Sequence, residues 1–129
     1  MRWFLFFLLL MPLACATTSE PAWVEGGLYS TPGEDGSYTV VKILKLDDQG
    51  VHVRVYSNRF DSQPSEIDES VLYMAGIDHG PDEQLGMGHL PLSKASFAEW
   101  QPHFIQMSTV SESELEGYRM WEEASGGYF

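Results

Sequence analysis

From Val51 to Tyr56 apolar and polar side chains alternate, Val51-His52-Val53-Arg54-Val55-Tyr56. A period of two puts the valines on one side of a strand and His52, Arg54 and Tyr56 on the other. Upstream, Tyr38 to Leu46 reads Tyr-Thr-Val-Val-Lys-Ile-Leu-Lys-Leu, rich in residues that fit a pleated, half-buried surface. Asp47-Asp48-Gln49-Gly50 between them has turn chemistry, so the two runs predict a hairpin. A four-residue loop would pair Leu46 with Val51 and Leu44 with Val53, and would place Gly50 at positive φ. An earlier strand is predicted over Trp23 to Ser30, ending at the loop Thr31 to Gly36. The face carrying His52 and Arg54 is expected to pack against a helix, with the charged group's stem covered and its head in water.

Further along, the pattern shortens. Ser65 with Asp68 predicts a capped helical turn, followed by strand-like Val71-Leu72-Tyr73-Met74. Ala75 to Gly88 is rich in Gly and Asp and reads as loop. Ser93 is placed to cap a short helix through Trp100, with Phe97 and Trp100 three residues apart on one face and Pro102 ending it. Phe104 to Met107 predicts a strand. Ser111 and Glu114 form an S-x-x-E capping box for a last helix over Glu112 to Ala124. Leu115, Tyr118 and Trp121 would face inward, and Gly126-Gly127 would stop the helix. The reading is an α+β fold: a small SH3-like β-barrel or a strongly bent antiparallel sheet, with C-terminal helices.

The first 14 residues break this pattern. Met1-Arg2 is followed by Trp3 to Met11 without a polar residue, then Pro12-Leu13-Ala14 and Cys15. A positive start, a short apolar core and small residues before a cleavage point describe a secretory signal, and the run is too short to span a bilayer as a helix. Leu13-Ala14-Cys15 resembles the end of a bacterial lipoprotein signal, in which the Cys becomes the first mature residue and carries the lipid; Pro12 departs from the usual aliphatic residue. The alternative is Ala14-Cys15-Ala16, an A-x-A site for ordinary secretion. The organisation expected is a signal peptide over residues 1–14, a polar tether over 15–21 and one globular domain over 22–129. Lipid on Cys15 would anchor the domain to a membrane, since two or more acyl chains hold a protein stably. Ala16, where an Asp would stand in an inner-membrane sorting signal, implies the outer membrane, facing the periplasm. A secreted or soluble periplasmic protein is the alternative location.

Charge narrows the function classes. The 129 residues carry 7 basic and 19 acidic side chains, a net charge of -12. Such a surface repels phosphate backbones and argues against nucleic acid as a partner. From Asp61 to Glu83 there are seven acids (Asp61, Glu66, Asp68, Glu69, Asp78, Asp82, Glu83) and no base. Lys42, Lys45, Arg54 and Arg59 lie in the other half, where they are expected to neutralise some of these acids. Crowded carboxylates belong at the surface. Asp78, Asp82 and Glu83 are the candidate partner-binding residues, and a basic envelope protein is the partner that electrostatic steering would favour.

The stretch Asp35-Gly36-Ser37-Tyr38, continuing through Asp47-Asp48-Gln49-Gly50 to Arg59-Phe60, resembles a family of small uncharacterised bacterial proteins. Gly88-His89-Leu90-Pro91-Leu92 with Phe97, and Pro102-His103-Phe104-Ile105, extend the resemblance over residues 27–129. It implies no activity and transfers no catalytic residue.

Candidate chemistry is sparse. The histidines are His52, His79, His89 and His103, and the single cysteine is Cys15. Asp78-His79-Gly80-Pro81-Asp82-Glu83 offers metal-type ligands, but its spacing matches neither a metalloprotease helix nor an EF-hand, and it reads as a solvated acidic loop. No G-x-S-x-G elbow is present, and Cys15 would be consumed by processing. Asp47-Asp48 is explained by its turn. No cofactor motif and no catalytic residue is assigned. The leading expectation is an envelope-anchored, non-enzymatic protein-binding module of inhibitor or immunity type. The alternatives are a small envelope hydrolase using His and Asp groups, and a purely structural lipoprotein.

Overall fold

The computed structural model describes residues 22–129. The expected signal peptide, Cys15 and tether lie outside the described residues. Five strands, β1 (Gly27–Pro32), β2 (Tyr38–Leu46), β3 (Gly50–Val55), β4 (Met87–Ser93) and β5 (His103–Met107), form one sheet in the order β4-β3-β2-β1-β5. Every pairing is antiparallel. Two short helices, α1 (Lys94–Glu99) and α2 (Glu116–Glu123), complete an α+β fold. The sheet is not closed into a barrel: β4 and β5 are its two edges. Nor are the helices all C-terminal, since α1 lies between β4 and β5.

The hairpin forms where the alternation places it, with Leu46 opposite Val51. The next expected pair, Leu44 with Val53, does not form. Val53 faces Ile43, and Leu44 is the extra residue of a β-bulge. Similar register shifts interrupt the β3–β4 and β1–β5 ladders. Each bulge bends its strand and adds twist, so an open sheet can curve around a core without closing. Asp47 organises the turn by accepting the Gln49 and Gly50 amides, at 2.8 and 2.9 Å. Positive φ among the glycines occurs at Gly26 and Gly36, not at Gly50. Gly50 is required for another reason. A Cβ there would enter the Tyr128 ring and lie 2.6 Å from the Leu92 carbonyl oxygen.

The sheet is covered on both faces. On one, Tyr29, Val41, Ile43, Val51, Val53, Val55 and Leu92 close around Phe97 of α1, with Trp23 edge-on to Phe97 at 4.7 Å. Ser93 caps α1 as the sequence predicts, accepting the Ser96 amide at 3.1 Å. The helix ends at Glu99 with Trp100 as its C-cap, and Gln101, just before Pro102, turns to φ 53°. On the other face Leu28, Val40 and Tyr56 pack against Ile67.

The segment after β3 departs most from expectation. Asp68, not Ser65, caps the 3₁₀ turn Glu69–Val71. Val71 to Met74 is not a strand; its chain is tied down by Asn58 and Ser57 through the backbone of Tyr73. The last strand is close to the predicted one. The Ser111–Glu114 box forms reciprocally, with a 3₁₀ turn over Ser113–Leu115 leading into α2. Lys42 is buried within the sheet. Its ammonium meets Glu114 at 2.9 Å and the Thr109 carbonyl at 3.0 Å, while Arg54 stands 3.6 Å from the same carboxylate. Together these charges dock the C-terminal segment on the sheet.

Candidate functional site

The alternation of β3 that buries its valines against Phe97 turns His52 to the opposite face, where its exposure is 0%. β4 brings His89 beside it, and the rings lie nearly parallel, with His52 Nδ1 2.8 Å from His89 Nε2. α2 closes over the pair. Tyr118 and Trp121, three residues apart on one helix face, meet the His52 ring edge-on at 4.8 and 4.4 Å between centroids. Gly117 permits that approach, because a Cβ at this position would lie 2.6 Å from His89 Cβ.

The chain then doubles back. Gly126 donates to the Trp121 carbonyl, and Phe129 exchanges backbone hydrogen bonds with Pro91 and Ser93 on the edge of β4. This tail inserts Tyr128 between His52 and Asp47. Its hydroxyl is 2.9 Å from His52 Nε2 and donates to the Asp47 carboxylate. The direction of each bond follows from that last one. With its own O–H directed at Asp47, the Tyr128 oxygen accepts from His52 Nε2–H; His52 Nδ1 is then bare and accepts from His89 Nε2–H. The result is a directed chain, His89 to His52 to Tyr128 to Asp47, in which both imidazoles are neutral.

The electrostatics agree with this arrangement. Burial, and then the neighbouring His52, lowers His89 to about 4. Burial also lowers His52, against the opposing pull of Asp47 and Glu122. Partial burial pushes Asp47 up, but the Tyr128 hydroxyl and the Gln49 and Gly50 amides more than offset it and leave its carboxyl below the usual range. Burial, followed by the bond to Asp47, raises the Tyr128 phenol. Both His52 nitrogens, the Tyr128 hydroxyl and the Asp47 carboxylate are committed to neighbours, and these bonds tie the C-terminal segment to the sheet.

The other two histidines do not join it. His79 is exposed in its loop, and His103 is exposed at the start of β5. Among the described residues no three His, Cys, Asp or Glu side chains are grouped to hold a metal ion. The sequence placed Tyr118 and Trp121 on an inward helix face and His52 on a half-exposed strand face against a helix; His52 is instead fully buried, and nothing in the sequence joined it to Tyr128 or His89. Asp47 read as a turn residue alone.

The candidate partner-binding residues lie elsewhere. Asp78 and Asp82 are exposed. Glu83 is less free than its sequence suggests: it accepts the Gly80 amide at 2.8 Å and the Tyr73 hydroxyl, and so shapes the loop. Beside these carboxylates stands a row of exposed apolar residues, Val71, Tyr73, Met74, Ile77 and Leu85, with Ile77 90% exposed. The expected neutralisation by Lys42, Arg54 and Arg59 goes to other acids. Lys42 and Arg54 face Glu114, and Arg59 faces Asp35 at 3.4 Å. Among the described residues none of the seven acids from Asp61 to Glu83 joins a salt bridge.

No protein-family model, curated protein or solved structure matches the chain. No helix among the described residues is long and apolar enough to cross a membrane.

Proposed function

We propose that the protein is a lipid-anchored, non-enzymatic binding module of the bacterial envelope, and that a basic protein is its partner. The observation carrying this reading is the loop from Val71 to Leu85, which sets exposed apolar side chains among carboxylates that no base offsets. Apolar patches rimmed by polar groups are used for association, and the carboxylates select a cationic surface and speed its approach. Two or more histidines at one carboxylate in a cleft would favour a hydrolase. Only His52 stands near a carboxylate, 3.6 Å from Asp47, and it and His89 pair with each other beneath Tyr118 and Trp121, which favours the binding reading over that alternative.

Asp78 and Asp82 make no bond within the fold, so replacing both with Asn, and leaving Glu83 on Gly80 and Tyr73, is expected to slow association with a purified basic partner while the melting temperature changes little. Surface plasmon resonance at two salt concentrations checks this. The screening length falls from about 10 Å at 0.1 M to about 3 Å at 1 M, so a steered on-rate drops as salt rises. An on-rate indifferent to both salt and the substitutions would remove the acidic loop from recognition.

Anchoring has its own test. Cys15→Ser is expected to leave the precursor unprocessed or the product unretained at the membrane, because a hydroxyl cannot replace the thioether in that pathway. Membrane fractionation with normal processing and retention of Cys15→Ser would leave ordinary secretion.

A further inference from the structure

α1 is six residues long, so it covers only part of the sheet face that carries Phe97. Beyond Trp100 the sheet floors a groove of about 700 Å³. That volume falls within the range of ligand-sized sites, roughly 300–1,000 Å³. Val55, Leu85, Met87 and Trp100 are among the apolar residues that line it. The Thr31 and Thr39 hydroxyls bond each other at 2.8 Å, which leaves one O–H of the pair free to donate to an occupant. The rim carries Glu34, Asp35 and Glu99 against one cation, Arg59, which already faces Asp35.

We propose that this groove receives a basic segment of the partner protein, an apolar side chain resting on Val55, Met87 and Trp100 and a Lys or Arg side chain reaching Glu34 and Glu99. The inference rests on the binding role proposed above and adds where and how the partner is gripped. Charge complementarity selects the occupant. The rim is net negative, and a cation beside Glu99 can also sit over the Trp100 ring. Leu85 belongs both to this groove and to the exposed apolar residues of the acidic loop, so the two surfaces share a residue. A second copy of this chain fits poorly. Lys42, Arg54, Arg59 and Arg119 are held by carboxylates, which leaves Lys45 and Lys94 outside salt bridges among the described residues.

The test is a nitrogen-15 NMR titration of the purified protein with acetyl-Lys-Leu-Lys-Phe-Lys-amide and with the peptide in which Glu replaces each Lys. The basic peptide is expected to shift the amides of Val55, Leu85 and Met87 and the Trp100 indole N–H, and the acidic peptide to leave them in place. The double variant Glu34→Gln, Glu99→Gln removes no hydrogen bond within the fold and is expected to weaken the basic peptide by about threefold to tenfold, as two solvent-screened ion pairs allow. Silence at the groove residues, equal binding of both peptides, or unchanged affinity in the double variant would each overturn the inference. Shifts confined to Val71 through Ile77 would overturn the groove alone and keep the binding role. No response to the basic peptide anywhere, together with a salt-independent on-rate for the partner, would overturn both. Groove shifts that follow protein concentration without peptide would assign the groove to self-association and overturn the heterologous partner.

Discussion

Gly50→Val is expected to lower the stability of the domain by about 2–3 kcal/mol, the scale of forcing atoms into a filled core. The new side chain would start inside the Tyr128 ring and beside the Leu92 carbonyl. The ring can swing away only by releasing Asp47 and His52, and the carbonyl can move only with β4. The urea midpoint should fall while the slope of the transition stays that of the parent. Gly76→Ala is the control, because a Cβ at that position meets nothing within 4 Å and Gly76 is not at positive φ. Tyr128→Ala should absorb part of the Gly50→Val penalty, since the two changes act on one contact and are not additive. A midpoint unmoved by Gly50→Val would mean that Tyr128 does not rest on the hairpin.

Acidification from pH 7 towards pH 4 is expected to destabilise the fold through the histidine pair. His89 titrates at about 4 when folded and near 6.5 when unfolded. As pH falls the unfolded chain therefore binds a proton first. The stabilisation is complete above about 6.5 and is lost progressively as pH falls towards the folded value. His52 adds in the same direction. The groups facing the pair are Asp47, Tyr128, Tyr118 and Glu122, with Lys45 5.9 Å from the centre of the Tyr118 ring. Asp47 and Glu114 are held below the ordinary carboxylate range, so their own losses come at lower pH. His89→Gln keeps an N–H for His52 Nδ1 and removes the titration; it should flatten the dependence between pH 6.5 and 4. His52→Leu should cost about 1–3 kcal/mol at pH 7, because it leaves the His89 N–H without an acceptor and removes the donor to the Tyr128 oxygen, which keeps its bond to Asp47. Melting curves at half-unit pH intervals check both. A parent protein equally stable at pH 7 and 4.5 would exclude the coupling.

Local patterns reached far into this fold, and their limits were physical. The valines of β3, the Ser93 cap and the Ser111–Glu114 box each depend on neighbours within a few residues, and each formed as read. The bulge at Leu44 did not announce itself, because an aliphatic residue there suits either register. Gly50 was legible as a necessary glycine but for the wrong reason, since the turn chemistry of Asp47 hid a clash that only residue 128 supplies. The histidine chain joins positions 47, 52, 89 and 128, and no sequence period spans those separations. Short strands alone allow either a barrel or a strongly bent antiparallel sheet; the open sheet observed is of the second kind, because closure depends on whether the end strands meet, a property of topology.

The position of β1 governs the order in which the chain can assemble. The β1–β2–β3 hairpins close over short loops, but the other side of β1 waits for β5, some 75 residues later, and the Asp47–Tyr128 link waits longer still. Until β5 arrives, Gly27 to Pro32 is a bare strand edge able to template pairing with another chain. A chain truncated before Phe104 would therefore aggregate through β1, whereas one ending at Gly127 would keep β5 on β1 and α2 over the histidines but lose the Tyr128 link between His52 and Asp47.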